Sequence, residues 1–139
     1  MAYSRDLILR VLEQIRDMLA RVVGLVEEGR IEQALAQSNA IAQKVTGKGL
    51  DELLELDLQA IAQLIVEGSE KDQLKQLEYL SDILFVYASR ITSDSVKKDK
   101  ALTLSASLLE YIVDKQSIVL DMTLSFKMNK IKRYREQGR

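Results

Sequence analysis

Apolar residues recur along most of this chain at intervals of three and four positions, which is the spacing of one face of an α-helix. The first such segment extends from about Arg5 to Glu28, with Ser4 placed as its N-cap and Gly29 as a left-handed C-cap. One half of its helical wheel is apolar and the other half carries charges of both signs. The apolar half consists of Leu7, Ile8, Val11, Leu12, Ile15, Met18, Leu19, Val22, Leu25 and Val26.

The segment after Gly29 predicts the second half of a helical hairpin. At 3.6 residues per turn its inward residues fall within an arc of roughly 120°. The helix ends in the sequence Thr46-Gly47-Lys48-Gly49. A phosphate-binding loop would need a preceding strand, and a Ser or Thr in place of Gly49, so we interpret this sequence as a turn. The inward residues of the helix are small or medium in size and let a neighbouring helix approach closely: Ile31, Ala34, Leu35, Ser38, Ile41, Ala42 and Val45.

Polar turns divide the rest of the chain into further helical segments. Gly68 breaks the chain, and Ser69 followed by Asp72 makes an imperfect capping box that restarts it. The polar sequence from Ile91 to Lys100 is interpreted as a link between helices. The predicted segments are a short helix from Leu50 that restarts at Asp57, a helix with an apolar stripe from Leu74 to Ile91, a helix from about Ala101 to Val113, and a last helix from about Gln116 to Arg135.

This pattern predicts an all-α protein of about six antiparallel helices stacked as helical hairpins. The 139 residues amount to about one domain, which we expect to span residues 1–139. The chain contains no proline, so nothing in it locks φ or removes an amide donor inside a helix. Aromatic residues make up only 5% of the chain, so the core must be built mainly from aliphatic side chains.

The composition excludes several classes of function. The formal net charge of −1 gives no bulk attraction to nucleic acid or to membranes. The chain has no cysteine and no histidine, so disulfides and the common soft metal ligands are absent. Asp51, Glu52 and Glu55 are clustered, but they lack the spacing of a calcium-binding loop, and we interpret them as a solvated acidic face. We therefore predict no metal site and no cofactor.

Nothing in the sequence predicts a membrane or secretory protein. The first residues carry an acid and a base before any apolar run, which is not typical of a secretory signal. The longest apolar run, Ile83 to Ala88, is far too short to span a bilayer. We therefore expect a cytoplasmic location and no membrane partner.

The last helix has two apolar rows on opposite sides, and one of them needs a partner beyond the neighbouring helix. One row is Ile118, Met122 and Phe126, and the pattern alone leaves open which row is exposed. The end of the chain, at about 127–139, is a basic tail with six basic residues and one acid. The candidate interaction residues are the second row and the bases beside it: Leu120, Leu124, Met128 and Ile131, with Lys130, Lys132 and Arg133.

The spacing Gly29-x-Ile31-x-x-Ala34 resembles the start of the second helix of a tetratricopeptide (TPR) unit. In that unit a glycine closes the turn, a large residue plugs it, and an alanine permits tight helix contact. The first half of the chain is also similar to an uncharacterised bacterial family of small helical proteins with TPR-like folds, through the segments around Asp6 to Arg10, Gly24-Leu25 and Gly49-Leu50-Asp51. The resemblance implies a bacterial, TPR-like protein and brings no catalytic residues.

These observations favour a non-enzymatic protein-interaction or scaffold module that binds an unknown protein or peptide and forms a homodimer. The alternative is binding of nucleic acid by the basic tail, with Tyr134 stacking on a base. An enzyme is a third hypothesis. It finds no support in the sequence, because no nucleophile and base occur together at a recognisable spacing. If the acidic segment Asp51–Asp72 and the basic tail pair between chains, reversing the charges of Lys130, Lys132 and Arg133 should change the assembly.

Overall fold

Seven α-helices make up most of the computed structural model, which describes residues 5–116 and 122–137, apart from the side chains of residues 122 and 123. These ranges contain no strand, so the all-α fold class is confirmed. The same ranges contain seven α-helices and not about six, because the chain turns between Leu53 and Leu58 and two separate helices result. The helices are α1 (Arg5–Glu27), α2 (Ile31–Thr46), α3 (Leu50–Leu53), α4 (Leu58–Leu64), α5 (Glu70–Val86), α6 (Ser95–Gln116) and α7 (Met122–Gln137).

The first two helices form a hairpin around a glycine turn. Gly29 has a φ of 76°, which an L side chain rarely adopts. The N–H of Arg30 donates to the carbonyl of Leu25 at 2.8 Å, as in a Schellman motif, so the predicted C-cap is confirmed. Ala34 is fully buried, and its small side chain allows α1 and α2 to pack closely.

The helix α5 lies at the centre of the fold, in contact with α1, α2 and α6. Its start is the predicted capping box: the Ser69 hydroxyl accepts from the Asp72 N–H at 3.2 Å, and the Asp72 carboxylate accepts from the Ser69 N–H at 3.0 Å. The guanidinium of Arg5 donates to the same carboxylate and ties α1 to this end of α5. Only glycine fits at position 68, because its φ is 87° and a Cβ there would lie 2.7 Å from the Cβ of Asp72.

The helical segment that begins with α5 ends at Ile91, as the sequence predicts, but its last turn is wound differently, and the start of the next helix differs from the prediction. The helix is extended by one π-helical turn, Tyr87–Ile91, which ends when the N–H of Thr92 donates to the carbonyl of Tyr87 at 2.9 Å. The prediction of a polar link from Ile91 to Lys100 is wrong for the second half of that segment, because α6 begins at Ser95. Asp94 caps this start by accepting from the N–H groups of Val96 and Lys97.

The α5–α6 hairpin contains a fully buried polar contact between two serines. The hydroxyls of Ser81 and Ser105 lie 2.8 Å apart, and each also donates to the other residue's carbonyl. Both side chains are buried, with 1% and 0% of their surface exposed. Small side chains at this crossing bring the two backbones together, and the reciprocal bonds satisfy every polar atom involved.

The last helix, α7, packs on the outside of this hairpin. It contacts α6 along its length, and Leu124 and Ile131 are its fully buried side chains, with 2% and 3% exposed. In the described part of the chain, no helix is both long and apolar enough to cross a membrane.

Candidate functional site

The predicted interaction residues are divided between the core and two faces of α7. Leu124 and Ile131 are buried against the rest of the chain, so a partner could reach them only if α7 moved. Met128 is half-buried in a depression between α6 and α7, and Leu120 lies outside the described residues. The bases Lys130, Lys132 and Arg133 are exposed.

The open apolar side chain described on α7 belongs to the other row. Phe126 has 68% of its surface exposed, which is high for an aromatic side chain on a helix that packs against the core. Its two row neighbours on the N-terminal side, Ile118 and Met122, lie outside the residues whose side chains are described.

A half-buried ion cluster holds α7 against α5. The Nζ atom of Lys127 lies 2.5 Å from a carboxylate oxygen of Glu78 and 3.0 Å from one of Asp82. Burial lowers the pKa of Lys127, but the two carboxylates outweigh it and raise that pKa above 10.5. Burial raises the pKa of Asp82 above 3.8. Lys127 opposes this rise only in part, because it also pairs with Glu78. Lys75 reaches Glu78 at 3.3 Å, so the cluster contains two cations and two carboxylates.

Aromatic rings next to this cluster are packed against each other and against lysines. Phe85 on α5 and Tyr134 on α7 meet edge to face with their ring centroids 5.8 Å apart. The Nζ atoms of Lys130 and Lys98 lie 5.2 Å and 5.7 Å from the rings of Phe85 and Tyr134, respectively. Tyr134, which the sequence analysis suggested could stack on a base, is therefore half-buried and in contact with Phe85 and Lys98. The ring of Phe126, by contrast, is exposed.

A groove of about 350 Å³ runs between α1 and α7, over α5 and α6. Leu19, Ala20 and Val23 form its α1 wall, which is entirely apolar. Val23 has 42% of its surface exposed. The α7 wall and the floor are formed by Phe126, Lys127, Lys130 and Ile131, and by Ser81, Asp82, Phe85, Val86, Ser105 and Leu109.

The groove adjoins a second depression of about 340 Å³ on the same side of α7, which we call its extension. Phe85, Phe126 and Lys130 line both, and Arg133 lies in the extension. Lys130 and Arg133 have no carboxylate within ion-pair distance among the described residues. The residues that line this open apolar surface therefore include cations on α7, whereas those on α1 are uncharged.

The three clustered acids of the sequence between Gly49 and Asp57, by contrast, are paired with lysines of the same chain. Asp51 and Glu55 meet Lys97 and Lys100 on α6 at 3.2 Å and 2.8 Å, and Glu52 lies 3.9 Å from Lys48. The hydrogen bond from Lys97 to Asp51 raises the pKa of Lys97. No group of three or more acidic side chains in the described ranges is placed to hold a metal ion.

Sequence reasoning missed two residues of the groove. Val23 was left out of the apolar half of α1, because a single apolar residue outside the stripe is common on a helix surface. Phe85 was not named as a candidate, because the sequence pattern shows neither its contact with Tyr134 nor its place in the groove. Comparisons of the chain with models of protein families, with curated proteins and with solved structures gave no match.

Proposed function

We propose that this protein is a non-enzymatic interaction module that binds a helix of a partner protein in the groove between α1 and α7. The observation that carries the proposal is the open apolar surface at Phe126 and Val23, one on each wall. Exposure of apolar surface to water is unfavourable, so its burial by a partner would contribute favourably to the free energy of binding. A groove between two helices is the surface that an amphipathic helix fills in helix-in-groove recognition.

The TPR-like arrangement is part of this proposal. It is supported by the left-handed turn at Gly29 and by the full burial of Ala34, which stands at the alanine place of the TPR spacing; Ala101 on α6 is also fully buried. Ile31 departs from the pattern, because the expected plug residue has 36% of its surface exposed. Membership of the bacterial family and a cytoplasmic location rest on the sequence resemblance and composition described above.

The experiment measures binding of a helical peptide of about 18 residues, or about five turns. The peptide carries a leucine stripe and an uncharged Gln/Ser polar face, and fluorescence anisotropy reports its binding. We expect Phe126→Asp and Val23→Asp to weaken binding at least tenfold, because a carboxylate would have to be desolvated in the filled groove. Val66→Asp and Val96→Asp are the matched controls, since these exposed valines lie outside the groove. Equal binding by all four variants, or no binding to the wild type, would contradict the proposal.

A second candidate is binding of single-stranded nucleic acid, and one observation favours it. The open ring of Phe126 lies in the same groove as Lys130, and Arg133 is in the adjoining extension. Aromatic faces beside cations are typical of surfaces that stack bases and contact phosphates. A labelled dT20 oligonucleotide tests it: binding that falls steeply with salt and is lost in Phe126→Ser would favour nucleic acid.

Self-association remains a further prediction. Light scattering behind a sizing column, over a range of concentrations, gives the mass in solution. A dimer that persists on dilution and dissociates in Phe126→Asp would show that the groove region is a self-interface.

A further inference from the structure

The charges at the groove are unevenly distributed between its walls. Three cations, Lys127, Lys130 and Arg133, and one carboxylate, Asp82, line the groove and its extension. Lys127 is neutralised within its ion cluster. Lys130 and Arg133 are left without an anionic partner among the described residues, both on the α7 side.

From this asymmetry we infer that the occupant is an acidic amphipathic helix of another protein, with its carboxylates along the one edge of its apolar stripe that faces α7. The inference rests on the proposed function and specifies its partner. The apolar stripe covers Phe126 and Val23, while the carboxylates pair with Lys130 and Arg133. Because the α1 wall offers no charge, carboxylates on one edge also fix the direction in which the helix lies in the groove.

The same charges argue against a second copy of this chain as the occupant. A two-fold seam along α7 would bring Lys130, Lys132, Arg133 and Arg135 near their own copies, and like charges repel. The clustered acids Asp51, Glu52 and Glu55, which were the candidates for pairing with the basic tail, are already paired with lysines of their own chain.

The test compares three peptides that share the leucine stripe of the peptide described above. One has an uncharged polar face, one has three glutamates along one edge of the stripe, and one has the same three glutamates on the face opposite the stripe. The last two have the same net charge, so their difference measures contact at the groove edge and not bulk attraction. At low salt we expect the edge-acidic peptide to bind about threefold to tenfold more tightly than its isomer.

A pair of double variants locates the effect. Lys130→Gln with Arg133→Gln should abolish the advantage of the edge-acidic peptide and leave the affinity for the uncharged peptide unchanged. Lys44→Gln with Lys71→Gln removes the same charge from exposed sites outside the groove, and should keep the advantage.

Each other outcome has a definite meaning. Equal affinity for all three peptides would overturn the inference but leave the proposed function standing, whereas no binding of any peptide would overturn both. Binding of dT20 without peptide binding would assign the cations to phosphates, and a dimer that dissociates in Phe126→Asp would assign the groove to a second copy. Either result would overturn the inference that an acidic helix occupies the groove.

Discussion

The α5–α6 interface and the seating of α7 are held together in different ways. The first buries a reciprocal serine pair and continuous aliphatic packing, with every buried polar side chain of the described residues satisfied. The second depends on two fully buried aliphatic residues, Leu124 and Ile131, and on the ion cluster of Lys127. The fold is therefore specified mainly at the α5–α6 interface, whereas the packing of α7 leaves an apolar, cationic surface open.

The largest expected effect comes from the better packed of the two interfaces. Leu108 on α6 is fully buried, so Leu108→Ala leaves a cavity and should lower the free energy of unfolding by about 2–5 kcal/mol. Urea denaturation measures this change, and amide hydrogen exchange should accelerate in all the core helices. Faster exchange in α6 alone would show that the hairpin is not the cooperative centre of the fold.

A smaller effect is expected at the ion cluster that holds α7. In Lys127→Met the carboxylates of Glu78 and Asp82 lose their shared cation in a half-buried place, which should cost about 1–3 kcal/mol. We expect hydrogen exchange to accelerate in α7 more than in α6. The exposed Lys44→Met is the control and should leave stability unchanged. A uniform acceleration in both helices would remove the distinction between the two interfaces.

The contact between Arg5 and Asp72 should make stability depend on pH at low pH. Burial raises the pKa of Asp72, but the bonds from Arg5 and Ser69 outweigh it and lower that pKa below 3.8. The stabilisation is therefore complete above about pH 4 and is lost as the pH falls through the lowered pKa. Asp72→Asn should cost about 1–2 kcal/mol at pH 7 and less at pH 2. An equal cost at both pH values would contradict this account, and Asp114→Asn on the surface of α6 is the control.

The smallest effect on stability is expected where the largest effect on binding is proposed. Phe126→Asp should change the free energy of unfolding by less than about 0.5 kcal/mol, because most of the ring is already in water. Thermal unfolding checks this directly. A loss of several kcal/mol would mean that Phe126 belongs to the structural part of α7, and the contrast between the two interfaces would fail.

Much of the fold could be predicted from the sequence, because local signals determine its helix ends. Gly29, Ser69 with Asp72, and Asp57 each act through bonds to neighbouring residues, and all three are found as expected. The start of α6 at Ser95 was missed because a run of polar residues can be either a link or the exposed first turn of a helix. The π-helical turn after α5 depends on tertiary packing and has no local signal.

The candidate site could be predicted only in part, because it depends on how helices distant in sequence are arranged. The surplus apolar row and the bases of α7 were visible in the pattern, but which row is buried depends on the seating of α7 against α5 and α6. In the structure, Leu124 and Ile131 are buried and Phe126 is exposed. The pairing of Lys127 with Glu78 and Asp82 spans 45 residues or more, so no local rule could separate this cation from Lys130 and Arg133.

The central claim is that the open surface between α1 and α7 is where a partner helix binds. Its most direct test is an NMR titration of ¹⁵N-labelled protein with the edge-acidic peptide. The account predicts amide shift changes in two separate segments, residues 19–23 of α1 and residues 126–133 of α7, with little change in α2. Changes confined to α7, or centred on the α1–α2 hairpin, would contradict it.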